Sequence, residues 1–130
     1  MTAAGEYLFD SRAVLARERF EESSVVWYGY LAHFFGGVFL ANALPHLIAG
    51  VSGQPLQTPF ASPPFKGLSS PPVNVLWALA NLALAYLLLV RVERLDFSSW
   101  ADFAVGFAGF GLMALQCARS LARLRSQGAR

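Results

Sequence analysis

The sequence predicts an all-α integral membrane protein with three transmembrane helices, and three observations predict it. Hydrophobic residues make up 55% of the 130 residues and charged residues only 14%, whereas an ordinary soluble domain is charged at about a quarter of its positions. Mean hydropathy is +0.45. Three apolar runs, at about 26–51, 72–91 and 99–118, are each long enough, at about 1.5 Å per helical residue, to cross or nearly cross a hydrocarbon core of roughly 30 Å. The chain reads as one membrane domain, 1–130, a length that limits it to a single domain.

Residues 1–24 form a polar arm and predict an N-terminal surface helix. Asp10 or Ser11 is placed to cap it, and Arg17 and Glu21 stand i,i+4 along it, with Phe20 its large apolar group near the end. The arm lacks the apolar h-region of a cleaved signal peptide.

The first span, VVWYGYLAHFFGGVFLANALPHLIAG, opens with Trp27, Tyr28 and Tyr30 at headgroup level. Pro45 cannot donate to Ala41, which predicts a helix kink in the last third of the span. Residues 52–71 carry Pro55, Pro59, Pro63, Pro64 and Pro71, which forbid a regular helix. Phe60, Phe65 and Leu68 are too apolar for a solvated tether, so the segment is expected to be an ordered Pro-rich loop folded over one end of the bundle.

The second span starts at Pro71 and Pro72 behind a capping Ser70. Arg91, Glu93, Arg94 and Asp96 mark its exit. Ser99 and Asp102 have capping-box spacing at the head of the third span. Arg119, Arg123, Arg125 and Arg130 make a basic tail over 119–130, with Leu121 and Leu124 between them. Basic residues are balanced between the two sides, but the C-terminal cluster is purely basic. That favours a cytoplasmic C-terminus, in a bacterial inner membrane.

A helix turns about 100° per residue, so faces follow from spacing. Asn74, Trp77, Ala78, Asn81 and Ala85 share one face of the second span, which is expected to face the bundle because amides are costly in lipid. Asp102, Gly106, Gly109, Met113 and Gln116 share a face of the third span, with Phe103, Phe107 and Phe110 beside it. On the first span, Asn42 and His46 lie on one face and Gly29, His33 and Gly37 on a roughly opposite one, with Gly36 next to it. The helix-packing or partner interface is expected at Gly29, His33, Gly36, Gly37, Gly106, Gly109, Phe103, Phe107 and Phe110.

Depth can be counted at about 1.5 Å per residue. Asn81 falls near the midplane and Asn42 about 5 Å toward the loop. His46, Asn74 and Gln116 each fall about 10–11 Å toward it. Asn42, His46, Asn74, Asn81 and Gln116 therefore define a candidate ligand-binding layer under the 52–71 loop. Each residue also has a plain reading: interhelical amide bonds, a hydrogen-bonded structural histidine, an N-terminal helix acid at Asp102, and a buried Cys117.

Several classes are disfavoured. One cysteine makes neither an internal disulfide nor a cysteine-based metal site. A net charge of +2 without an aromatic-basic motif argues against nucleic acid. No GxSxG, HExxH, P-loop, GxGxxG or CxxC pattern occurs, so no enzymatic activity and no cofactor are expected. His33 and His46 stand about 20 Å apart along one helix, so a bis-histidine haem would need a second chain.

The leading expectation is an accessory or assembly subunit. Its partners would be membrane lipids and other transmembrane subunits or a second copy of itself. The alternative is a homodimeric small-molecule binding or transport protein using the Asn/His/Gln layer. A haem or quinone site at His46 or His33 is the weaker alternative.

Overall fold

A computed structural model describes the backbone of residues 3–128 and the side chains of 11–18 and 27–126. Three helices carry the fold: α1 (Ala3–Val51), α2 (Pro71–Tyr86) and α3 (Trp100–Gly128), with a small antiparallel hairpin of β1 (Leu56–Gln57) and β2 (Leu68–Ser69) between the first two. The stretches Trp27–Val51, Pro71–Val92 and Trp100–Ser126 are long and apolar enough to cross a membrane.

α1 is a single helix of 49 residues, so the break expected between a surface helix and the first span is absent. Asp10 and Ser11 lie inside the helix and do not start it. The reason is local: residues 3–26 hold no proline and are rich in Ala, Leu, Glu and Arg, and extending a helix is easier than nucleating a second one. Glu21 and Phe20 fall outside the described side chains. α1 also runs through Pro45 without interruption.

α2 begins with Pro71 and Pro72 in its first turn. Ser70 takes the extended backbone of a cap, but its side chain makes no capping bond. Beyond Tyr86 the chain widens into a π-helical stretch, Leu87–Val92, which completes the second span. At the head of α3 only half of the capping box forms. Ser99 Oγ accepts from the Asp102 N–H at 3.3 Å. The Ser99 N–H donates to the Asp96 carbonyl and not to the Asp102 carboxylate.

α1 is the central element. It packs against both α2 and α3, which hardly touch each other. The glycines make this possible. A Cβ on Gly37 would overlap the Gly106 carbonyl, and one on Gly109 would overlap the Phe34 carbonyl. Gly36 lies against Leu89 and Gly29 against Glu93. Of the two roles expected for this Gly/His face of α1, helix packing or a partner interface, the contacts are those of helix packing: the chain's own second and third spans lie against it. Small residues were placed correctly as close-approach points; with α1 between two helices, both of its faces are used internally.

The 52–71 segment is ordered. Leu56 pairs with Ser69 and Gln57 with Leu68. Phe65 and Ala61 donate backbone bonds to the Thr58 carbonyl. Thr58 and Ser69 join their hydroxyls in the buried centre of the hairpin. Phe60 packs edge-on against Trp77 of α2, with ring centroids 5.4 Å apart, and so helps fasten the hairpin to the bundle.

Candidate functional site

Two chains of side-chain hydrogen bonds cross from α1 to α2. In the first, Asn81 Nδ2 donates to the Trp77 carbonyl at 2.7 Å, and Asn42 Nδ2 donates to Asn81 Oδ1 at 3.0 Å. In the second, Asn74 Nδ2 lies within 3.0–3.3 Å of the carbonyls of Ser69, Ser70 and Leu56. Asn74 Oδ1 faces His46 Nδ1 at 2.8 Å. Asn74 thus ties both strands of the hairpin and α1 to the first turn of α2. It is fully buried, and Asn81 nearly so.

The direction of each chain is fixed by where it ends. A backbone carbonyl can only accept, so each terminal amide must point its NH₂ at the carbonyl and its oxygen back toward α1. It follows that Asn42 donates to Asn81 and keeps its own Oδ1 as an acceptor. It also follows that neutral His46 is protonated on Nδ1, which leaves a bare lone pair on Nε2. Among the described residues the Asn42 oxygen is approached by the Cys117 thiol, a weak donor, at 3.9 Å.

Both outward ends open onto space. A cavity of about 320 Å³ lies between α1 and α3 beneath the hairpin, lined by Asn42, Pro45, His46, Gln57, Gln116, Cys117 and Ser120 with Leu56, Phe65, Met113, Leu121 and Leu124. A second, of about 290 Å³, lies between α1 and α2, and its walls share Asn42, His46, Gln57, Phe65 and Met113 with the first. The space that α2 and α3 leave open is thus a chamber with α1 at its back and the hairpin as its roof. Among the described residues His46 Nε2 has no partner and, unlike the ring nitrogens of His33, it is not sealed off.

Of the five residues expected in the layer, Asn42, His46, Asn74 and Asn81 are joined in the pairs described. Gln116 lines the same cavity, but it is exposed and makes no side-chain hydrogen bond. α3 packs on α1 and hardly touches α2, so its inward face, Gln116 included, opens onto the chamber. Cys117, expected to be buried, is half-buried. Pro45 lines the cavity one residue before His46.

Sequence reasoning did not find Gln57, Thr58, Ser69 or Ser120. Gln57 Nε2 donates to the Lys66 carbonyl at 3.0 Å, so its carboxamide oxygen remains an acceptor at the roof. Polar residues alternating with prolines and phenylalanines were the available signal, but only the hairpin pairing shows which of them face inward.

At the far end of α1, His33 is 1% exposed and neither ring nitrogen has a hydrogen-bond partner. Its Nδ1 lies 3.8 Å from an Asp102 carboxylate oxygen, beyond hydrogen-bond range. Phe103 and Phe107 stack at 5.6 Å on the outer side of α3 and stay exposed. Among the described residues no three His, Cys, Asp or Glu side chains converge as metal ligands.

The helices and their apolar surfaces define a membrane-spanning, all-α helical bundle. Comparison with protein-family models, with curated proteins and with solved structures gives no match. The class rests on the chain's own helices, and its chemistry on the chamber.

Proposed function

We propose that the chain is a non-enzymatic membrane protein that binds a small molecule in the chamber beneath the hairpin, with Asn42, His46 and Gln116 at its walls and Asn74 and Asn81 as supports. The observation that carries this reading is the pair of directed hydrogen-bond chains. They leave two acceptor atoms, His46 Nε2 and Asn42 Oδ1, at a cavity whose walls combine Leu56, Phe65, Met113, Leu121 and Leu124 with the polar side chains of Gln57, Gln116 and Ser120. Ligand sites combine an apolar lining with a few fixed polar groups in this way. Chemistry on the ligand is not part of the proposal: Cys117 contacts Asn42 and no described residue acts as a base toward it.

The test is purification of the chain in mild detergent and native mass spectrometry. A retained small molecule is expected, lost on narrowing the cavity with Ser120→Phe. Occupancy unchanged by both Ser120→Phe and His46→Ala would sink the chamber as the site.

A second reading, an accessory subunit docked on partner helices or on a second copy, has one specific support. Only 11% of the apolar window of α3 is buried. Docking would use the outer Phe103 and Phe107 side of α3 and not the glycine face of α1. Stable co-purification with a larger complex and an empty chamber would favour it. We place the chain in a bacterial inner membrane with its C-terminus in the cytoplasm, following the purely basic tail; a C-terminal topology reporter checks this. A Soret band in freshly isolated material would revive haem.

A further inference from the structure

We infer that the chamber selects a lipid-soluble molecule whose polar head is a hydrogen-bond donor, an alcohol or phenol, with its O–H accepted by His46 Nε2. This rests on the small-molecule reading of the chamber and names the chemistry it accepts.

The argument is one of directed hydrogen bonding. Asn74 and Asn81 end on backbone carbonyls, which turns their oxygens toward α1 and leaves His46 Nε2 and Asn42 Oδ1 as acceptors. Gln57 spends one of its two amide hydrogens on the Lys66 carbonyl and keeps its oxygen as an acceptor. A head group that only accepts, such as a ketone, ether or ester, would set lone pair against lone pair at His46 Nε2, and the donors left to it are those of Gln116 and Ser120 on α3. A hydroxyl has one hydrogen, which completes the His46 chain by donating to Nε2. The body of the molecule is apolar because Leu121 and Leu124 of α3 continue the cavity wall. Entry is lateral, because α2 and α3 do not close on each other. The size follows from the volume: about 320 Å³ accommodates on the order of ten non-hydrogen atoms at roughly 30 Å³ each.

The experiment compares 4-butylphenol with 4-butylanisole, which share the body and differ in O–H against O–CH₃. The full-length chain is labelled with ¹⁵N-histidine in lipid nanodiscs and each probe is titrated. With only two histidines in the sequence, a His33→Leu sample assigns the His46 signals. Binding read at the His46 ring is specific to the site, whereas partition into lipid is not. The phenol is expected to bind about tenfold or more tighter than the ether, as one well-placed hydrogen bond allows. It is also expected to shift the Nε2 resonance while leaving Nδ1 protonated. Equal affinity for phenol and ether would overturn the donor requirement while the chamber stands as a binding site. No response to either probe would overturn the chamber reading and this inference with it.

Discussion

Replacing Asn74 with alanine removes the residue on which hairpin, α1 and α2 converge. Its amide has two hydrogens shared among three carbonyls and one oxygen bound to His46. That is three hydrogen bonds' worth of pairing, at roughly 0.6–1.5 kcal/mol each, or about 2–4 kcal/mol in all. His46 Nδ1 would also lose its acceptor in a buried setting. Unfolding of the reconstituted protein by detergent titration measures the loss. Hydrogen exchange measures its location: the Ala61 and Phe65 amides, which donate to the Thr58 carbonyl, are expected to lose protection before amides at the middle of α1. Asn74→Asp keeps an acceptor for His46 but loses the donors, so it is expected to free the hairpin too. A cost below about 0.5 kcal/mol, less than one such bond, or unchanged hairpin protection, would refute Asn74 as the fastening.

Other outcomes follow from the same geometry. Asn42→Ala removes one interhelical bond and is expected to cost about 0.6 kcal/mol, with a comparable coupling to Asn81 in a double-mutant cycle. Gly37→Ala and Gly109→Ala force a side chain into a facing backbone carbonyl and are expected to cost about 1–3 kcal/mol or more. Gly111→Ala, where a Cβ meets open space, is the control without a clash in the same unfolding assay, expected to leave stability unchanged or raise it by up to about 1 kcal/mol. His33→Leu removes two unpaired buried ring nitrogens and is expected to leave stability unchanged or raised by about 1 kcal/mol; a clear loss would show that His33 has a partner. Outside the spans, the Ser98 hydroxyl and N–H hold the exposed Asp96 carboxyl below its ordinary pKa. Its small contribution is present above the unfolded pKa and is lost as pH falls through the folded one. An NMR titration of Ser98→Ala is expected to move the Asp96 midpoint up.

The sequence carried the spans because apolar length and helical spacing are local properties. Asn74, Ala78, Asn81 and Ala85 repeat at helical intervals, and all four are buried. The layer was partly legible for the same reason: depth and facing come from counting residues. What counting could not supply was packing order. Whether α1 lies at an edge or in the middle depends on which glycines meet which backbone, and the central placement turned the expected docking face of α1 inward. The same order left Gln116 open to a cavity. The hairpin was expected as order without a shape, because a proline-rich stretch signals what it cannot form more clearly than what it does. The continuity of α1 was missed because a change in polarity near residue 25 resembles an element boundary, while the backbone there has nothing to stop it.

The central claim is that both amide chains point their hydrogens at backbone carbonyls and so turn acceptors toward the chamber. The most direct measurement is the ¹⁵N spectrum of the two His46 ring nitrogens in the empty protein at neutral pH. The account predicts a protonated Nδ1 with a hydrogen-bond coupling to Asn74 and a bare, pyridine-type Nε2. A proton on Nε2 with a bare Nδ1 would contradict it, because the Asn74 amide would then have to be reversed and the chain would not end on the hairpin carbonyls.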